Sequence, residues 1–512
     1  MRTLLAALLL LFSTSSLAAT WREAETTHFR IVSSGDEKSL RQFAERLEYF
    51  HILLRLATGA NEASRPVVKV QVYLVPTIGD VKRLYGDMKS DVAGFYGPRD
   101  YGAFAVVPRT TGDGIFTGQL VLFHEYSHHY MLQYTPAAYP AWYVEGFAEI
   151  ASTASFERKG AITFGKAASH RQYELDGGMN YPVTRMLDGT YLKDREKGRG
   201  WSYGDAWTLT HYLTFSDTRR GQFRSYLNSI NAGKKMSDAA QVFGDLGLLQ
   251  REVSSYLAGR SFPYRAVPIT EGSAGAITVR QLSPAEAAVI DLSIELGRRT
   301  DLPSKGKDEE QGAFDQKLAK AKQQRDEWLA KVETVANTYP AETAGWLLLA
   351  DARCSVDQYQ ACGAAADRAL ALVPDSERGM VRKAEAMIGL AKDLPGDQRQ
   401  SQVLAAQAML LKANAAQPND PLALYWYYAS FGAMGRPADA DGLMALITTV
   451  RLIPQLEKPR LQLAQEFIQR GRLRDARTVL RPLAYAPHES SASKLARELL
   501  DKVDEALTAA GA

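Results

Sequence analysis

His124-Glu125-Tyr126-Ser127-His128 places two imidazoles four residues apart, so on a helix they share one face and hold a single divalent cation. Glu125, next to His124, is a carboxylate able to take a proton from water at that ion. Glu145, in Glu145-Gly146-Phe147-Ala148-Glu149, adds an oxygen ligand from a second helix and leaves a fourth position open. Two histidines, one carboxylate and an open position make a catalytic zinc site rather than a closed structural one. One zinc ion lowers the pKa of water from about 15.7 to roughly 7, and Glu125 is placed as general base for attack on a carbonyl. A bare His-Glu-x-x-His arises by chance in a chain this long at on the order of one per cent. The second stretch, Pro140-Ala141-Trp142-Tyr143-Val144-Glu145-Gly146-Phe147-Ala148-Glu149, makes chance a poor explanation.

Glu149 shares a face with Glu145 and suits a carboxylate that orients His124, the alternative being a solvated helix carboxylate. An oxyanion calls for a donor on its far side. Tyr203, in Trp201-Ser202-Tyr203-Gly204-Asp205-Ala206-Trp207, is the candidate, with His211 as competitor and plain aromatic packing as the other option. His129 points away from the His124/His128 face. His28, His51, His170 and His488 have no motif around them, so surface or core packing is expected. Gly146 costs helix stability and points to a close approach of the two zinc helices.

The elements that must carry these residues follow from periodicity. His28-Phe29-Arg30-Ile31-Val32 alternates as a strand, residues 37–56 have helical spacing, and 67–75 is β-branched. Residues 93–97 and 102–108 flank a turn and form a hairpin. A helix over 118–132 carries the two histidines. Pro140 suits the start of a second, over 141–154, that carries Glu145 and Glu149. Residues 203–257 read as mostly helical, and 261–275 as a boundary broken by Pro263, Pro268, Gly272 and Gly275. Ile277-Thr278-Val279 is a short candidate strand, and 303–312 is charged and solvated.

The 512 residues, 46% hydrophobic with a net charge of +3, allow two or three cores and argue against nucleic acid as a partner. Arg2, the apolar run 4–12 and the small residues Ser16-Leu17-Ala18 form a signal peptide, cleaved after Ala18 or Ala19. The expectation is therefore an exported, soluble, periplasmic or cell-envelope protein with no later membrane span. Cys354 and Cys362 are the only cysteines. A disulfide and two buried thiols are equally open to them.

From residue 316 the chain is alanine- and leucine-rich helix. Leu463-Ala464, Phe467, Gly471, Ala476 and Leu480 fall at the offsets of a tetratricopeptide repeat, where large and small residues alternate so that paired helices pack closely. Trp346, Leu349-Ala350, Ala369 and Pro374 match more loosely, as do Phe431, Gly435 and Ala440. An α-helical solenoid capped by residues 495–507 is expected, an irregular helical bundle being the alternative. Arg470, Arg472, Arg474, Arg477 and Arg481 read as a solvated face, with capture of an acidic tail as the weaker option.

These motifs, together with Ala93-Gly94-Phe95-Tyr96, Tyr139-Pro140-Ala141-Trp142-Tyr143 and Tyr203-Gly204-Asp205-Ala206-Trp207, resemble the gluzincin zinc metallopeptidases. Within them, the pattern is similar to a bacterial branch with a peptidase-MA-like domain followed by tetratricopeptide repeats. The resemblance covers roughly residues 21–257 and the last third of the chain. It implies an α+β zincin-like metallopeptidase domain followed by an all-α tetratricopeptide-like solenoid, with one zinc ion on His124, His128 and Glu145 and a catalytic Glu125. The expected layout is a signal peptide over 1–18, the peptidase over 19–265, a linker with a short strand over 266–315 and the repeats over 316–512. Aminopeptidases of the wider group carry an acidic residue in a Gly-x-Met-Glu-Asn segment ahead of the zinc helix. Residues 102–108 hold no carboxylate, which favours an endopeptidase whose 104–107 strand pairs with an extended peptide. The expected partners are a peptide or protein substrate and a protein bound by the repeats. A cell-envelope scaffold with an inactive metal domain is the alternative function.

Overall fold

The structure is a computed structural model that describes residues 20–62, 68–109, 117–157, 160–196, 198–270, 272–306, 309–487 and 489–510. The expected signal peptide and His488 lie outside these. The described chain contains no helix long and apolar enough to cross a membrane.

The first part of the chain is a mixed α/β unit. It runs β1 (Arg22–Glu25), β2 (Phe29–Ser33), α1 (Glu37–Thr58), β3 (Val70–Val75), α2 (Ile78–Tyr85), β4 (Phe95–Arg99), β5 (Gly102–Pro108), α3 (Gly118–Tyr134) and α4 (Ala141–Ser152). After it come β6 (Phe156–Glu157), β7 (Ala161–Phe164), β8 (Arg265–Pro268) and β9 (Thr278–Gln281). Six strands form one sheet in the order β4-β5-β3-β2-β1-β9, with β2, β3 and β5 parallel. Their side chains alternate between two covered faces, as a pleated strand requires. Ile31, Val72, Leu74, Ala105 and Val107 pack with Leu40 and Phe50 of α1 and Phe123 of α3. Val32, Tyr73, Val75 and Val106 pack with Val81 of α2 and with Ile290 and Ile294.

Local chemistry sets the helix ends. Asp36 accepts from Ser39 N at the start of α1, and Gly59 closes it at φ 68°. Thr117 accepts from Leu120 N to start α3. The elements expected over 28–32, 37–56, 93–108, 118–132 and 141–154 are present, and the strand expected over 67–75 runs from Val70 to Val75, Val67 lying outside the described residues.

Three expectations are corrected. β5 lies between β3 and β4, so its backbone is already paired on both sides and offers no edge for a substrate strand. The edge is β4, where Pro98 lacks an N–H to donate. Residues 266–315 are no tether, because β8 pairs with β7, β9 pairs with β1, and the helices Pro284–Ala288 and Ile290–Thr300 follow. The helical part begins at Gln311, inside that stretch.

Ten successive helices from Gln311 to Ala509 make up the all-α part of the described residues. The repeat residues read from the sequence sit inside its hairpins. Leu463, Ala464, Phe467, Ala476 and Leu480 are buried between the helices Glu457–Gln469 and Leu473–Ala484, and Gly471 turns the chain between them at φ 70°. Ala440 departs from the pattern by being exposed, the buried alanine there being Ala438. A disulfide joins Cys354 to Cys362 across the turn after Thr343–Cys354. The arginine cluster is not a uniformly solvated face. Arg481 donates to the carbonyls of Ile230 and Asn231 and Arg477 to that of Gly233, at the C-terminal end of the helix Arg220–Asn231, where unpaired carbonyls collect.

Candidate metal centre

α3 and α4 pack against each other beneath the sheet. Most residues of each are buried, and the buried polar ones on α3, His129 and Gln133 among them, are hydrogen-bonded. The two helices bring His124, His128 and Glu145 together. His124 Nε2 lies 3.1 Å from His128 Nε2, and Glu145 Oε2 lies 3.3 Å from each. Donors held 2.0–2.1 Å from one tetrahedral ion stand about 3.3–3.4 Å apart. The three atoms thus have the spacing that one face of a tetrahedral ion site requires, in a nearly buried setting. Burial works against charge here, yet Glu145 and Glu149 outweigh it and lift the His124 pKa to about 10. Burial likewise opposes ionisation of Glu145, but His128 and His124 hold its carboxyl well below the usual range.

Glu149 takes the position expected of it, with Oε1 3.2 Å from His124 Nδ1. Sequence reasoning missed what holds Glu149. His170 Nε2 lies 2.7 Å from its Oε2, and Arg171 donates to Oε1 at 2.7 Å and 3.2 Å. His170 is therefore no mere packing residue. Arg171 also lies 4.4 Å over the Tyr203 ring and bonds Glu174, whose other oxygen accepts from Gly204 N at 2.7 Å. One guanidinium thus connects the carboxylate behind His124 with the start of the helix that carries Tyr203. No spacing motif announces this link, since 170–174 is a short irregular segment.

Tyr203 opens the helix Tyr203–Phe215, started by a Ser202/Asp205 capping box. Its ring centroid is 6.0 Å from that of His124, and burial followed by the Glu145 charge pushes its hydroxyl pKa up. His211, the competitor, is turned into the core. Its Nδ1 shares a 2.7 Å bond with Tyr256 and its Nε2 a 2.8 Å bond with the Gly165 carbonyl. His129 is on the opposite face of α3, bonded to Tyr96 and Gln455. Glu125 is half-buried on α3, and its charge acts on both Tyr96 and Tyr203. Gly146 does mark a close approach, but to a different helix than expected. A Cβ there would come 2.1 Å from Thr210 Oγ1 and 2.3 Å from the Ala206 carbonyl.

A second cluster, His28, His51 and Glu62, also gathers potential ligand atoms within 4.8 Å. Its geometry differs in kind. The imidazoles stack at 3.5 Å with planes 20° apart. His28 Nδ1 donates to Glu48 at 2.7 Å, His51 Nε2 to Glu62 at 3.1 Å, and the hydroxyls of Tyr126 and Tyr130 complete the network. Here the histidines tie α1 to the back of α3.

No family model matches the sequence, and no curated protein matches it either. Among solved structures, a thermophilic TPR protein of Thermus thermophilus is similar at 16% identity over 36% of this chain and 93% of that one, with a TM-score of 0.31. An ArsTM double mutant of MamA RS-1 is similar at 18% identity over 34% and 85%, with a TM-score of 0.24.

Proposed function

We propose that this chain is an exported zinc-dependent metallopeptidase of the gluzincin type, with a zincin-like catalytic unit and a tetratricopeptide-like array that engages substrate or a protein partner. The carrying observation is the triangle of donor atoms at 3.1–3.3 Å on His124, His128 and Glu145, with Glu149 behind His124. A zinc ion held there would polarise the substrate carbonyl and acidify water. Glu125 takes the proton of the attacking water and passes it to the leaving amine. Tyr203 donates to the carbonyl oxygen as negative charge develops on it. Glu149, fixed by His170 and Arg171, keeps His124 in the tautomer whose Nε2 faces the ligand position. Lack of the acidic amine-binding segment favours cleavage within a chain over aminopeptidase action. Export rests on the pattern of residues 1–18.

The test is Glu125→Gln. It is expected to retain one zinc per chain by elemental analysis while peptide hydrolysis falls by at least about a hundredfold. Unchanged turnover would refute the catalytic assignment, and negligible zinc in the wild-type chain would refute the centre itself.

A further inference from the structure

Beside the ligand triad lies a cleft of about 430 Å³, lined from two distant parts of the chain. Gly198, Arg199, Gly200, Trp201 and Tyr203 form one side with Glu145. Pro487 and Glu489, from the turn before the last array helix, form the other. That second side is held in place. Arg477 and Arg481 grip the end of Arg220–Asn231, and Tyr485 packs on the cluster that contains Trp142, next to α4's Glu145 segment. The helical array is therefore a wall of the cleft.

The charges on the two sides are answered differently. Glu489 sits 3.0 Å from Arg497 and 3.7 Å from Lys494, so two cations of its own helix region balance it. Arg199 is 68% exposed, and its ion contact is a loose 4.0 Å to Asp194. Tyr181 and Arg185 share the other oxygen of Asp194, Oδ2, each at 2.6 Å, so that carboxylate's charge is divided among three partners. Arg199 thus brings five donors in a planar fork to the cleft with little carboxylate to meet them. Gly198 leaves room beside it, since a Cβ there would meet nothing within 4 Å.

We infer that Arg199 reads a carboxylate on the bound peptide, either an acidic side chain or the peptide's own C-terminus, while the turn at Pro487 and Glu489 confines that peptide to an extended segment. This deepens the peptidase reading and rests on it for the nature of the ligand. A bidentate arginine–carboxylate pair gives both affinity and orientation.

The test is binding by the zinc-loaded, full-length Glu125→Gln chain, followed by fluorescence anisotropy. The probes are labelled peptides of one neutral sequence, with amidated or free C-terminus, and the amidated form with one Glu in place of Gln. At least one carboxylate form is expected to bind about tenfold or more tighter than its neutral counterpart, and which one identifies the source. Arg199→Ala is expected to abolish that ratio, Arg199→Lys to keep part of it, and Glu489→Gln to widen it by removing a like charge. Equal affinities in all peptides, or a ratio unchanged in Arg199→Ala, would overturn the inference. Because binding is read without turnover, a wild-type chain that cleaves nothing would sink the hydrolase reading separately.

Discussion

His124, His128 and Glu145 were legible as a set because side chains that converge from two helices keep a helical spacing, and spacing is visible in sequence. Arg171 was not, because it works through space from an irregular segment, bonding Glu149 and stacking on Tyr203. Removing it takes from Glu149 the guanidinium that steadies it behind His124. Arg171→Ala is expected to weaken zinc affinity by roughly 10–100-fold, measured by chelator competition, and to lower kcat more than it raises KM. Arg171→Lys keeps the charge but loses the fork and most of the stacking, and is expected to restore zinc affinity better than kcat. Equal recovery of both would show that Tyr203 does not depend on the guanidinium.

Helix-level expectations held where periodicity was strong and failed where tertiary contact decided. α1, α3 and α4 and the 95–108 hairpin followed from pattern alone. The neighbours of those elements did not, and Gly146 shows why. Its lack of a side chain signalled crowding, but only the packed fold reveals that Ala206 and Thr210 are what it meets. Gly146→Ala should improve helix propensity by about 1 kcal/mol, yet the Cβ would overlap backbone as well as side chain. Overpacking of this kind costs about 1–3 kcal/mol or more, so the variant is expected to melt at lower temperature and to lose zinc affinity as α4 shifts. A second element-level device joins the β4–β5 turn to the array. Arg382 bonds Asp351 at 2.7 Å, Asp100 at 3.1 Å and Glu385 at 2.5 Å, and Arg378 lies over the Tyr101 ring. Burial pushes the Glu385 carboxyl up to about 7, against the pull of Arg382. The folded chain then holds a proton that the unfolded chain, with a pKa near 4.5, releases. Stability from this group is complete below about pH 4.5 and is lost as pH rises through about 7. The melting temperature of the wild type is expected to fall over that interval relative to Glu385→Gln, as thermal melts at about pH 5 and 7.5 would show. Parallel curves would remove Glu385 as the cause.

Taken whole, the molecule is an α/β body that meets a helical array at several places among the described residues, including the β4–β5 turn through Arg382, the outer face of α3 through Gln455 and His129, the end of Arg220–Asn231 through Arg481, and Leu296 against Trp328. Composition signalled two kinds of structure but not their contact, since docking uses scattered arginines and glutamines that look solvated in sequence. The large sheet has a bearing on how the molecule is made. Arg22 pairs with Gln281 and Glu25 with Thr278, so the first strand to leave the ribosome waits for one made far later. At roughly 5–20 residues per second, that delay is on the order of ten seconds or more, during which β1 presents unpaired backbone prone to misplaced pairing. A chain stopped at residue 265 is expected to aggregate, whereas one stopped at 301 stays soluble and monomeric by size-exclusion chromatography. Late closure of the sheet also keeps the nascent polypeptide pliable until β9 has been made.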